Sequence, residues 1–564
     1  MSDYSQAIWT LDTAPRSKPE AEVSSSAALL LPSFGAVVFA VTLLQVLFLA
    51  QGAWGLFRDS DTGWHVRNGE AIMATAAVPH VDGFSYTRDG RQWLAWEWLS
   101  DVALGSAHRL AGLAGVALLA AIAIALTAWG AARLSLSLGG NLFFTAAAMV
   151  LLLGTTSIHW LARPHVFSWL FALLFLSIAE HERRGGTGQQ YTGREAVYRN
   201  DLDGGPDAKK RRGGTRALYT LPFVACLWAN THASFLLGPA ILFIYALGEW
   251  FVAAVYDRRQ FPSIEIAGGH RPPLQQHTGL RFAAACLASL LATFVNPYGW
   301  HLHEHVVAYL QNGYLMDHIA EFRSFSFHSP GALYVELFLL VAVLGALALL
   351  RQRAFGPALL AFAMLHLSLY SARHLPTAAV LLLPLCVAAL SREAEEWPRL
   401  YALLDYSRRL RAIDRRIRGV VPTALVLAAT IAGLVTLARA GRIGFDSAKF
   451  PVRAVDYLQE AMTQQGPEAR VFAKDQWGGY LIYRFAGRSK VFVDGRSDFY
   501  GQDLLETYAQ VVEVKPGWDA VLKQFDVRFV LVAPDNALAS ALQLSSEWKR
   551  VHTDPVAAVF ERVS

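Results

Sequence analysis

Between Ala28 and Phe57 the chain carries no charged side chain, and apolar runs of this kind recur along most of its length. A helix needs about 20 apolar residues to cross the hydrocarbon core of a bilayer, where each backbone N–H and C=O must be satisfied within the helix itself. No other feature of the sequence constrains the fold so strongly. The first run is too long for the core of a signal peptide and no small-residue cleavage site precedes it, so it reads as an uncleaved membrane helix. Ten further segments qualify, at 110–133, 141–159, 164–181, 217–230, 234–256, 281–296, 331–350, 355–371, 374–391 and 420–440. The pair around Asn230 is short enough to be one broken helix. Eleven crossings is the expected count.

Composition agrees. Hydrophobic residues make up 54% of the 564 and charged residues only 17%, whereas a soluble domain carries about 25% charged residues. Mean hydropathy is +0.30. These values exclude an ordinary cytosolic enzyme and a disordered chain. The net charge of +5 is spread too evenly for nucleic-acid binding. Cys226, Cys286 and Cys386 lie inside apolar runs, where they act as small hydrophobes and suggest no disulfide framework.

Basic charge instead sets topology. Nine Lys/Arg against four Asp/Glu lie between Arg183 and Arg216, and six Arg against one Asp between Ser407 and Arg418. The loop Arg58–Asp101 reverses the balance, with four Arg and seven Asp/Glu. With the N-terminus inside, eleven crossings put every basic loop in the cytoplasm. The loops 58–101 and 297–330 and the whole tail then lie outside. The polar, Ser-rich residues 1–27 read as a disordered cytoplasmic segment.

The tail, 445–564, has a different character. Val471-Phe-Ala, Lys490-Val-Phe-Val and Arg528-Phe-Val-Leu-Val read as short buried strands, with helices at Val452–Met462 and Leu504–Val511 between them. The chain is thus expected to be a polytopic α-helical membrane protein with a C-terminal extracytoplasmic α/β domain, long enough to fold independently.

Five outward helix ends carry polar groups that membranes usually exclude. The first loop opens with Arg58-Asp59-Ser60-Asp61-Thr62-Gly63-Trp64-His65 and continues to Trp96-Glu97-Trp98. Later ends carry His159 with Arg163 and His165, Asn230 with His232, Asn296, and Arg373 with His374. Trp93, Trp96, Trp98, Trp160 and Trp300 read as interfacial belt residues. Asp59 and Asp61 are different, because burying a carboxylate costs several kcal/mol unless it is paired or bound to a cation. His65, four residues beyond Asp61, shares its helix face. His301, His303 and His305 read as an amphipathic helix rather than a metal site, and Gly478-Gly479 lacks the context of a phosphate loop.

Taken as a set, these residues resemble polytopic glycosyltransferases of the C superfamily (GT-C fold). Protein O-mannosyltransferases, oligosaccharyltransferase catalytic subunits and aminoarabinose transferases belong to it. More closely, the chain is similar to a group of bacterial membrane proteins with the pattern D-x-D-x-x-W-H … G-x-x-I … P-x-x-D-x-F-S-Y-T … W-x-x-x-E-W-L. Asp59, Asp61, Trp64, His65, Gly69, Ile72, Pro79, Asp82, Phe84-Ser85-Tyr86-Thr87, Trp93, Glu97, Trp98 and Leu99 carry it here. In the tail, Trp477-Gly478-Gly479-Tyr480 and Val493-Asp494-Gly495-Arg496 fit as well. Trp-Trp-Asp-x-Gly is absent from the tail, which argues against Asn glycosylation.

The resemblance implies a polyprenyl-phosphate-linked sugar donor, reached from the membrane lipids, and an extracytoplasmic acceptor hydroxyl. Asp61 or Asp59 would be the general base, with Glu97 orienting the acceptor or replacing them. Arg163 and Arg373, with His165 or His374, would hold the departing phosphate; His65, Asn230 and His232 complete the candidate substrate-binding set. If a divalent cation is used, Asp59 and Asp61 would hold it, and oxygen ligands suit Mg2+ or Mn2+. Two other readings stay open. A lipid or sugar transporter would show mid-membrane charge and internal repeats, neither of which is evident. A non-catalytic scaffold would use the tail to recruit partners.

Overall fold

Helices occupy the apolar runs, but several are shorter than the runs that encode them. The computed structural model describes residues 25–49, 51–186, 217–257, 274–465 and 469–563. The run Ala28–Phe57 is not one helix. Pro32 separates a first turn, Ser25–Leu30, from the helix Phe34–Phe48, which Ser33 caps by accepting from the Ala36 N–H at 3.2 Å. The chain then turns at Gly52, whose φ of +57° favours glycine. Of the polar segment 1–27, residues 1–24 lie outside the described residues, as does most of the basic loop 183–216.

Among the described residues, seven helices are long and apolar enough to cross a membrane: Ser26–Phe48, Trp98–Ser137, Leu142–His159, Ala233–Ala254, Ala332–Arg351, Ala372–Ala394 and Val420–Arg439. Two more, Thr278–Ala292 and Phe355–Tyr370, are apolar but shorter. The run at 164–181 becomes His165–Gly186, whose last turns carry Glu180, Glu182, Arg183 and Arg184. Near Asn230 the chain forms two helices, Leu221–Ala229 and Leu237–Asp257, joined through a 3-10 turn at Ala233–Leu236. The helix Leu375–Ala394 is central, buried on nearly every side, whereas Ala332–Arg351 presents Leu333, Leu337, Leu340, Leu344 and Leu347 outward along one stripe. All-round apolarity and an outward apolar stripe both suit a helix bundle in lipid.

The tail holds a four-stranded sheet of order β1-β2-β4-β3, formed by β1 (Arg470–Ala473), β2 (Val527–Val532), β3 (Trp548–Thr553) and β4 (Ala558–Arg562). β1 runs parallel to β2; the other pairs are antiparallel. Both faces of β2 are covered, so its apolar run is continuous. Phe529 and Leu531 meet the helices Val452–Gln465 and Asp475–Phe485, while Val530 and Val532 meet Ser497–Val512. The strand expected at Lys490–Val493 is not a full strand. Val491 makes only isolated bridges, to Val471 and to Ser85 of the first loop.

That bridge corrects the expectation of an independent tail. Tyr86 N–H donates to Val491 O at 3.0 Å and Val491 N–H to Phe84 O at 2.9 Å. Tyr86 OH donates to Val471 O at 3.0 Å and Thr87 Oγ1 to Phe492 O at 2.6 Å. Trp64 and Trp93 of the loop share one apolar core with Phe450, Leu458, Trp477 and Phe529 of the tail. Trp93 is therefore a core residue and not a belt residue. Trp160 is also buried, its indole N–H donating to Thr156 Oγ1 at 3.1 Å; Trp300 stays exposed.

Candidate active site

The helix Asp61–Thr75 opens the first loop and lies against Asp475–Phe485 of the tail. The two cross where Gly63 faces the Gly479 carbonyl, an approach that a Cβ at position 63 would prevent. Gly495 sits directly on the Asp61 carboxylate, and a side chain there would collide with it. The Gly-Gly pair and the Asp-Gly-Arg triplet thus admit the tail to the acidic motif, and neither forms a phosphate loop.

Arg163 ties the acidic motif together. Its Nη1 lies 2.6 Å from Asp59 Oδ2 and its Nη2 3.0 Å from Asp61 Oδ2. Glu321, from the second loop, stands 3.6 Å from both Arg163 and His159 and 4.0 Å from Arg373. Four chain regions thus meet in one mesh of charge, half-open to the surroundings. Burial raises the Asp61 carboxyl well above its ordinary range; Asp59 adds to the rise and Arg163 opposes it. Glu321 is held low instead: burial opposes ionisation, but His159, Arg163 and Arg373 outweigh it.

A second group lies beside the first. His65 Nδ1 is 2.6 Å from Asp101 Oδ1, and Asn68 donates to the other Asp101 oxygen at 2.6 Å. An ionised Asp101 would place the ring proton on Nδ1 and leave the Nε2 lone pair free. That Nε2 has no hydrogen-bond partner and faces Glu97 Oε2 at 3.7 Å. His232 Nε2 approaches the other Glu97 oxygen at 3.5 Å. Burial drives the His65 pKa down to about 3 and the Glu97 pKa up to about 7. At neutral pH the imidazole is uncharged and the Glu97 carboxyl is poised to exchange a proton.

The other candidates divide. His165 Nε2 pairs with the His159 carbonyl at 2.7 Å, and its ring centre lies 6.5 Å from that of His232, so both belong to the cluster. Arg373 reaches Glu321 and lies over the Phe322 ring, while His374 is half-buried beside it. Asn230 plays a different part from the one expected of it. Its Oδ1 accepts from Trp98 Nε1 at 2.8 Å and its Nδ2 donates to the carbonyls of Cys226 and Val295, each at 2.8 Å, so the amide is spent on packing. His301, His303 and His305 turn to separate partners, Glu304, Thr293 and Asp498.

Asp59 and Asp61, the pair expected to hold a divalent cation if one is used, both pair with the Arg163 guanidinium. Among the described residues no three His, Cys, Asp or Glu side chains are grouped to hold a metal ion.

Sequence reasoning missed Asp101, Glu321 and Arg496. Asp101 had a signal, since it lies four residues after Glu97 and the helix starts at Trp98. Glu321 had none beyond being an acid in the second loop. Arg496 was part of a quoted motif without a role. It is buried, with Nη1 2.9 Å from Asp82 Oδ1 and Nη2 2.7 Å from Asp494 Oδ2, and its guanidinium carbon is 4.6 Å from the Trp93 ring centre.

No family model matches the chain, and no curated protein matches its sequence. Solved structures do resemble it. The archaeal oligosaccharyltransferase AglB from Archaeoglobus fulgidus, in complex with an inhibitory peptide and a dolichol-phosphate, superposes with TM-score 0.53 at 13% identity, over 88% of this chain and 69% of that one. The same enzyme tethered to an acceptor peptide gives TM-score 0.52 at 13% identity, over 88% and 68%. ArnT from Cupriavidus metallidurans is 16% identical over 93% of this chain and 97% of its own, with TM-score 0.43. At these identities the likeness is one of fold alone: the chain shares the overall architecture of the archaeal oligosaccharyltransferase.

Proposed function

We propose that this protein is a membrane glycosyltransferase that moves a sugar from a polyprenyl-phosphate-linked donor to an extracytoplasmic acceptor hydroxyl. It belongs, on this reading, with the bacterial proteins that carry the D-x-D-x-x-W-H pattern. It sits in the cytoplasmic membrane through eleven crossings, with the N-terminus inside and the tail outside. The observation that carries the proposal is the Arg163 mesh, where Asp59, Asp61 and Glu321 converge on one guanidinium at the junction of both loops.

The chemistry follows from the charges. The acceptor oxygen attacks the anomeric carbon as the bond to the lipid phosphate breaks, and the acceptor proton passes to a carboxylate. Asp61 suits the role of base, because a raised pKa strengthens its pull on a proton. Glu97 is the alternative base, or the group that orients the acceptor. Arg163 and Arg373 receive the polyprenyl phosphate, whose charge replaces the carboxylate interactions they now make. The dolichol-phosphate bound in the archaeal neighbour's complex is a lipid phosphate of the same chemical class.

Native mass spectrometry of the full chain in nanodiscs with endogenous lipids tests this reading. Wild type should retain a polyprenyl phosphate or its sugar-loaded form, and Asp61→Asn should accumulate the loaded form. Retention of bulk phospholipid alone by both, with equal folding, would instead favour a scaffold.

A further inference from the structure

The end of the bundle opposite the acidic mesh contains a cavity of about 770 Å³. It lies between the start of Phe34–Phe48, the end of Trp98–Ser137 and the turn after the helix Tyr401–Asp414. Trp98–Ser137 reaches from one site to the other: Asp101 is in its first turn, and the 25 residues beyond its kink at Gly112 span about 37 Å.

Four arginines line this cavity, Arg133, Arg411, Arg415 and Arg418. Asp414 is the one carboxylate in the lining, and its Oδ1 is already taken by the Phe34 N–H at 2.6 Å. Arg411 donates to the Leu136 carbonyl, and Arg133 lies 5.1 Å from the Trp129 ring centre. Among the described residues, no ion pair joins any of the four to a carboxylate. Four cations with one engaged acid leave a strong local excess of positive charge, which an anion would relieve.

The lining is also graded. Along one face of Trp98–Ser137 the cavity residues run Leu126, Trp129, Arg133, Ser137, at helical spacing from apolar to polar. Leu126 and Trp129 are among the exposed apolar side chains of the bundle, and Phe39 faces them from the first helix. A free anion would meet the basic end but has no use for the apolar flank. An amphiphile would use both.

We propose that this cavity binds an anionic membrane lipid, its phosphate among Arg133, Arg415 and Arg418 and its acyl chains along Leu126, Trp129 and Phe39. The site is separate from the transferase site and does not depend on the reading given to it.

The test uses the full chain in detergent, titrated with phosphatidylglycerol, phosphatidylcholine or inorganic phosphate, and read by native mass spectrometry and melting temperature. Wild type should bind phosphatidylglycerol roughly tenfold better than phosphatidylcholine, and Arg133→Gln/Arg418→Gln should lose that preference. Arg133→Lys/Arg418→Lys should keep most of it, and the single variant Arg133→Gln gives a milder version if the double variant folds poorly. Equal binding of the two lipids by wild type would overturn the proposal. So would a melting response to inorganic phosphate with none to phosphatidylglycerol, which would assign the arginines to a soluble anion.

Discussion

Arg163 and Arg496 are each a guanidinium held between two aspartates, and they differ in what surrounds them. The Arg163 side chain keeps 19% of its exposure, and Asp59 and Glu321 keep 25% and 29%. Arg496 keeps 3%, while Asp82 and Asp494 are sealed and aromatic rings cover the guanidinium. The chemistry is the same in both, so exposure decides the role. A half-open guanidinium can exchange a carboxylate for an incoming phosphate, whereas a sealed one can only hold its partners together. On the function proposed above the motif residues divide accordingly: Asp59 and Asp61 would face the reaction, while Asp82 and Asp494-Gly495-Arg496 fasten the tail to the loop.

The comparison breaks most sharply at Arg496. Arg496→Met leaves two buried carboxylates without a counter-charge, which costs about 3–5 kcal/mol, and the tail should detach from the loop. Limited proteolysis and thermal unfolding would show it, and a variant as protease-resistant as wild type would mean that Arg496 is no latch.

Arg163→Gln should do the reverse. Losing the donor proposed to hold the phosphate should reduce kcat/KM by about 10²- to 10³-fold, with a smaller loss of stability than at Arg496, because Asp59 and Glu321 are partly solvated and only Asp61 is buried. A collapse of the fold at unchanged turnover would exchange the roles given to the two arginines.

Glu97 sharpens the comparison through pH. Its carboxyl is raised to about 7 in the folded state, so between about pH 4.5 and 7 the folded protein holds a proton that the unfolded chain has released. The stability this provides is fully present below that window and is lost as pH rises through 7. Wild type should therefore lose stability across the window, and Glu97→Gln should show a shallower slope. If Glu97 is the base, turnover should also rise through pH 7 in wild type and lose that limb in the variant.

The smallest effect belongs to Tyr86→Phe. It removes the hydrogen bond to Val471 O and should cost about 1 kcal/mol, seen as a slight fall in melting temperature at full activity.

Much of this was legible in the sequence, for reasons that also mark where reading stops. Apolar runs report helices because lipid forbids unsatisfied backbone. They do not report where a helix breaks, and nothing in the run Ala28–Phe57 shows the turn at Gly52. Asp59, Asp61, Arg163 and Arg373 could be singled out because charge at a membrane helix end needs a reason. Glu321 could not, since its place beside Arg163 depends on how the second loop folds back. The strand Trp548–Thr553 was missed because Trp-Lys-Arg-Val-His-Thr is largely polar, as suits an outer strand of the sheet. Lys490–Val493 read as a strand because it is apolar and β-branched, yet it pairs mainly through single bridges.

The pairing of Thr87 with Phe492 spans 405 residues, and it sets an order on synthesis. The first loop is made early, but the core around Trp64 and Trp93 is closed by residues made near the end. At roughly 5–20 residues per second the loop waits some 20–80 s for its partner. Until then Asp61 lacks the neighbour at Gly495 that covers it. The acidic motif is thus assembled only when the tail arrives, so a ribosome-bound or truncated chain carries the residues of the site without its enclosure.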